Sequence, residues 1–305
     1  MNRSQTAAGP AIDGALVLDK PSGPTSFAAM RAAQRRLGQR DAGHGGTLDP
    51  MASGVLVVLL GEATKLSALV MDHTKTYEAE VRLGIATDTL DAEGAITERR
   101  EVPTSALEPA RIEALLPSFV GEVMQVPPRY SALKVQGRSH MSRARAGEAF
   151  VVAARPASCL GLTLIEMKPT GFTRRIECAK GYYVRSLARD LGAALGVPAH
   201  LAALRRTRVG AFDLAVATLP DAALPEHVIP IPRMLPELPQ RVVAGAELAA
   251  LRAGRTIAAP PGFGATRALA LDPDGAPVAL VVPLGDGPPP RLKVQRGFVP
   301  GQPND

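Results

Sequence analysis

The residues best suited to chemistry lie between positions 44 and 54, which read HGGTLDPMASG and run straight into the apolar stretch VLVVLL. Asp49 is an acid held in a loop by Gly45, Gly46, Pro50, Ser53 and Gly54, against what the following run predicts to be a buried strand. A carboxylate fixed in this way can act as a nucleophile or a general base, because reactive groups are disproportionately carried on loops that a rigid scaffold positions. An aspartate before proline is also a turn former whose side chain bonds its own backbone, so residue type alone leaves both readings open. The same holds for His44, a lone histidine in a glycine-rich loop.

Other chemistries lose ground. The five histidines, His44, His73, His140, His200 and His227, show no HExxH or paired ligand spacing, so no metal centre is expected. Cys159 and Cys178 are too few for a disulfide framework or a four-thiolate zinc site. No GxGxxG follows a strand, and neither GxxxxGK[ST] nor GxSxG occurs, which speaks against nucleotide cofactors and serine hydrolysis; no cofactor is expected.

The 305 residues include 35 Lys and Arg against 29 Asp and Glu, a net charge of +6 that favours an acidic partner such as nucleic acid. Arg31, Arg35 and Arg36, with Arg40 just beyond, share the outer side of an expected helix, and Arg205, Arg206 and Arg208 sit in LRRTRVGAF. Such arginines are either solvated or in contact with phosphate. No apolar stretch reaches the ~18 residues of a membrane span, and residues 1–13 lack the apolar core of a signal peptide. A cytoplasmic protein with a short disordered leader at 1–13 is expected.

The elements that must position these groups follow from periodicity. Residues 15–18 form a short strand ending in DKPSGPTS, which holds Lys20 and Pro21; a helix capped by Ser26 follows, with Phe27, Met30, Ala33 and Leu37 on its apolar side. Residues 61–72 look helical, and residues 75–83 alternate as a half-buried strand with Tyr77, Ala79, Val81 and Leu83 on one face. DTLDAEG at 88–94 reads as a solvated turn. A helix over 109–119, extended chain over 125–137 and strands over 159–168 and 173–179 come next. KGYYVRSLARDLG then turns into a helix with Arg185 near its start, where a cation opposes the helix dipole and calls for a compensating anion. The six prolines between 219 and 239 mark a linker or a wrapped irregular segment, and residues 240–305 read as a small β-rich module with a hairpin about DPDG. Helices inserted between strands without regular βαβ alternation predict an α+β class with a mixed, mostly antiparallel sheet, its main domain spanning 14–218.

HGGTLDPMASGVLVVLLGEATKL, KTYEAEVRLGIATDTLDAEG, PPRYSALKVQG, KGYYVRSLARDLG and LRRTRVGAF occur in an order and spacing that resemble the TruB family, the pseudouridine synthases of the tRNA T-loop, over about residues 14–214. The resemblance implies the pseudouridine synthase fold with a central RNA-binding cleft, and a PUA-like RNA-binding module at the C-terminus. It implies conversion of uridine to pseudouridine (tRNA position 55) by base flipping. In that role Asp49 is the essential aspartate, Arg185 pairs with it and, as an adjacent cation, keeps it ionised, and Tyr77 stacks on the target base with its hydroxyl near the C5 proton. By the same resemblance His44 occupies the vacated space, Lys20 and Pro21 line the pocket, Leu204 forms an apolar wall, and Arg205, Arg206 and Arg208 contact phosphates.

Two departures stand out. The family's usual HTG is His44-Gly45-Gly46 here, which implies a more mobile loop, and its aromatic and basic residues after SALKVQG are replaced by Ser139, His140 and Met141. Three functional readings remain. The first is a stand-alone monomeric tRNA pseudouridine synthase needing no guide RNA or obligate protein partner. The others are a tRNA-binding folding helper and the catalytic subunit of a guide-RNA particle.

Overall fold

A computed structural model describes residues 12–131, 133–135, 137–285 and 290–299; most of the expected leader, residues 1–11, lies outside it. The frame is a ten-stranded sheet whose central order is Val228–Pro230, Gly14–Lys20, Ser53–Leu60, Ala199–Val209, Lys75–Leu83, Gly171–Cys178, Arg155–Lys168 and Gly121–Gln125. Its strand pairs are antiparallel except where Ala199–Val209 runs parallel to Ser53–Leu60. The sheet is therefore mixed and mostly antiparallel, as the element order predicts.

Residues 55–60 are all buried, as expected of a continuous apolar run at the centre of a sheet. In Lys75–Leu83 only one face packs fully, with Ala79, Val81 and Leu83 buried and Tyr77 left partly open. The helix Val184–Leu195 presses Leu187, Ala188, Leu191 and Leu195 onto this face, each leucine contributing about 2 kcal/mol of apolar burial. Gly196 ends that helix at φ 81°, a left-handed position that glycine adopts without a steric penalty.

Several local expectations shift. Thr25, not Ser26, caps the helix Ser26–Arg36 by accepting from the Ala28 amide, while Ser26 is buried. Phe27 lies 61% exposed, because the stripe that meets the sheet is Ala29, Met30, Ala33 and Leu37. Residue 13 is held rather than loose: Asp13 Oδ1 accepts from the Glu62 amide at 2.8 Å.

The proline-rich segment is the wrapped alternative. Val228–Pro230 pairs with residues 14–16, and Ile231, Met234, Leu235 and Leu238 are buried beside Ala15, Val17 and Val55. Proline removes hydrogen-bond donors, not apolar area, so such a segment can still pack. Beyond it, a five-stranded sheet runs in the order Gln240–Val242, Ala268–Leu271, Pro277–Pro283, Arg291–Gly297 and Ile257–Ala258. Leu269, Leu271, Leu280 and Phe298 of this module join the same apolar cluster as the central strands.

Candidate active site

The loop before the Ser53–Leu60 strand is pinned from several sides. Ser26 Oγ donates to the Leu48 carbonyl at 2.9 Å and accepts from the Leu48 amide at 2.8 Å, which fixes the residue next to Asp49. The Ala52 amide reaches the Asp49 carbonyl at 3.1 Å, and the Gly23 amide reaches the Pro50 carbonyl at 2.8 Å. Lys20 is fully buried, and its ammonium donates to the carbonyls of Pro21, Pro24 and Pro50 at 2.9, 2.8 and 3.2 Å. It ties the DKPSGPTS turn to the Asp49 loop; burial lowers its pKa, opposed by Glu93 and Asp49. Pro21 itself is exposed and its carbonyl accepts from Lys20; neither residue lines the two cavities at Asp49, so both support the loop from behind and do not wall the pocket as expected.

Two cavities meet at Asp49. The smaller, about 200 Å³, has Tyr77 and Leu204 in its walls with Asp49 and Arg185. The larger, about 420 Å³, extends past Asp49 to His44, Asp91 and the exposed ring of Phe27. Tyr130, Met141 and Arg185 border both. Met141, at one of the departures, thus faces the site, whereas His140 is buried against Phe150 with ring centroids 5.1 Å apart. The side chain of Ser139 lies outside the described residues.

Arg185 gathers the constellation. Its Nε stands 2.9 Å from Asp49 Oδ2 and its Nη1 stands 3.3 Å from Asp91 Oδ2, with further bonds from Nη1 to the Thr89 carbonyl and from Nη2 to the Tyr130 carbonyl. The anion required beside a cation at a helix start is therefore present twice. Asp91 was expected in a solvated turn; it is buried instead, accepting from Thr89 Oγ1 at 2.6 Å and the Glu93 amide at 3.1 Å. The signal that could have found it is Arg185 itself, whose fork can serve more than one carboxylate.

Electrostatics differ from the expected effect of an adjacent cation. Burial raises the Asp49 pKa above its ordinary value, Arg185 pulls it down, Asp91 pushes it up again, and the net direction is upward. Sharing Arg185 with a second carboxylate weakens its hold on the first. The Tyr77 hydroxyl is also raised by burial, with Arg206 opposing. His44 is lowered by burial and by Arg206, which favours the neutral imidazole.

The three arginines of LRRTRVGAF separate. Arg205 pairs with Asp19 at 2.8 Å at the surface, and Arg208 is exposed, its Nε on the Gly210 carbonyl at 2.8 Å. Arg206 is only 2% exposed and donates to backbone carbonyls inside the fold, so a phosphate cannot reach it. The expected phosphate contact at Arg206 is corrected accordingly.

Gly45 departs from the usual motif without leaving a gap. A Cβ placed there would lie 2.4 Å from Val70 Cγ1, and the Gly45 amide bonds the Val57 carbonyl at 2.8 Å. Val70 fills the space, so the loop is packed where greater mobility was expected.

Known proteins bear on this geometry. The model of the TruB family pseudouridylate synthase N-terminal domain matches residues 34–184, and that of the tRNA pseudouridylate synthase B C-terminal domain matches 185–225. A protein of Chromohalobacter salexigens named tRNA pseudouridine synthase B is 46% identical over 77% of this chain and 78% of its own. One of that name from Aromatoleum aromaticum is 45% identical over 82% and 83%. Among solved structures, a chain of a Cbf5-Nop10-Gar1 complex superposes with a TM-score of 0.71 at 25% identity, covering 98% of this chain and 92% of that one.

Proposed function

The chain belongs to the TruB family of pseudouridylate synthases, and on that premise we propose that it isomerises uridine to pseudouridine in the T-loop of tRNA, acting as a monomer in the cytoplasm without guide RNA or protein partner. The observation that carries the reading is the placement of Asp49 between two cavities, bonded to Arg185 and facing Tyr77 and Leu204.

The reaction breaks the N1–C1′ bond of uridine, turns the base, joins C5 to C1′ and moves the C5 proton away. It is an isomerisation, so it needs neither a redox group nor ATP. The smaller cavity takes the uracil, sandwiched against the Tyr77 ring and the Leu204 side chain, where base stacking is worth about 1–3 kcal/mol. Asp49 supplies the carboxylate beside the sugar, and Arg185 fixes its direction. A folded loop must release the uridine from its stack first, and His44, neutral and at the wall of the larger cavity, stands where the vacated space would be. Arg205 and Arg208 lie at the surface for the phosphate backbone, and the five-stranded C-terminal module adds a PUA-like RNA contact.

The test is tritium release from a tRNA transcript labelled at uridine C5, with purified protein alone. Release by wild type that is lost with Asp49→Asn, and lost with a transcript lacking the T-loop uridine, supports the proposal. Tight binding without release would overturn it in favour of a folding helper or of a particle that awaits a guide.

A further inference from the structure

We propose that Arg206 is a positioning residue for the reaction: from inside the fold it fixes the loop that carries Asp49 against the strand that carries Tyr77, and it contacts no RNA. The inference rests on the synthase reading above. The strand Ala199–Val209 runs between Ser53–Leu60 and Lys75–Leu83, and Arg206 is its residue in register with Gly54 on one side and Tyr77 on the other. Its guanidinium turns under the loop, where Nε donates to the Val55 carbonyl at 2.7 Å, Nη2 to the Gly46 carbonyl at 3.1 Å and Nη1 points at the Thr47 carbonyl at 3.5 Å. These carbonyls bracket Asp49 on both sides in sequence. The same guanidinium opposes the rise that burial causes in the Tyr77 hydroxyl pKa.

Close packing shows that this clamp is built in. Gly54 sits at φ +100°, and a Cβ there would lie 2.1 Å from the Arg206 carbonyl oxygen, so the backbones approach as only glycine allows. None of the ion pairs among the described residues includes Arg206, and its guanidinium donates to backbone carbonyl oxygens in the interior. A buried charge without a carboxylate is costly to retain, and the planar fork holds the carbonyls of Gly46 and Val55, on either side of Asp49, in one fixed geometry, which a flexible lysine stem does not.

The test separates positioning from RNA binding. Arg206→Met, Arg206→Lys and Arg208→Ala are compared with wild type by single-turnover tritium release and by tRNA binding over a range of salt concentrations. Arg206→Met is expected to lower the rate of the bound complex about 100-fold, as a misplaced reacting group does, with the tRNA Kd and its salt slope unchanged. Arg206→Lys, which keeps the charge but not the fork, is expected to fall between the two, and it decides the matter if the Met variant does not fold. Arg208→Ala is expected to show the opposite pattern, weaker binding and a shallower salt slope. A weakened Kd with a shallower slope in either Arg206 variant would overturn the proposal, and so would an unchanged rate. Wild type that releases no tritium would instead overturn the synthase reading on which it rests.

Discussion

Arg185 holds Asp49 with its Nε, 2.9 Å from Oδ2, while its Nη1 is turned to Asp91 at 3.3 Å, so one buried guanidinium sets the direction of two carboxylates. A lysine at this position keeps the charge but offers a single point of contact on a flexible stem. We therefore expect Arg185→Lys to lower kcat about 100-fold, the scale of a reacting group misplaced by an ångström, with little change in KM. Steady-state kinetics on a tRNA transcript check this. An unchanged kcat would mean that the charge suffices and the fork does not matter.

The raised pKa of Asp49 gives the pH dependence a sign. Burial and the neighbouring Asp91 hold its carboxyl above the ordinary value of 3.8, so the ionised form is lost at a higher pH than for a free aspartate as acid is added. The acid limb of the activity profile should lie above 3.8, and Asp91→Asn, which removes one of the raising charges, should move that limb to lower pH. Stability runs the other way. A group whose pKa is higher in the folded protein contributes stability below its unfolded value and loses that contribution as pH rises through the folded one. Asp49→Asn, neutral throughout, is thus expected to melt at a higher temperature than wild type at neutral pH, the gap closing in acid. A lower melting temperature at neutral pH would show that the pairing with Arg185 outweighs burial.

The strand carrying Tyr77 and the loop carrying Asp49 were legible in the sequence because alternation over 75–83 and the apolar run over 55–60 each answer to a single burial pattern. What was not legible depends on the third dimension. Phe27 fits the same helical spacing as Met30 and Ala33, yet it sits at the stripe's edge, and one residue of rotation leaves it open to solvent. An arginine on a strand reads alike whether it faces phosphate or the interior, so nothing local distinguished Arg206 from Arg208. Asp91 lies in a run of turn residues, and its burial beside Arg185, nearly a hundred positions later, leaves no local mark along the chain. The prolines of 219–239 read equally as a linker or a wrapped segment, and nothing in their spacing discloses that Val228–Pro230 pairs with the first strand or that Ile231 and Met234 are buried beside it.

Gly45 and Val70 make a pair that can be tested by exchange. The Cβ of any residue at 45 would come 2.4 Å from Val70 Cγ1 and 3.1 Å from its Cβ, and Val70 is fully buried, so neither neighbour can yield without moving the helix Ser67–Asp72 or the loop. Gly45→Thr is therefore expected to destabilise the protein by about 1–3 kcal/mol, the usual range for overpacking, and to lower activity by displacing His44 and with it the wall of the larger cavity. Val70→Ala alone leaves a small cavity and a loss of stability. Combined, the two changes trade volume across one contact, and the double variant should be more stable than Gly45→Thr, with a coupling energy of about 1 kcal/mol in denaturant unfolding. Strict additivity of the two single effects would show that the loop, not Val70, absorbs the added side chain.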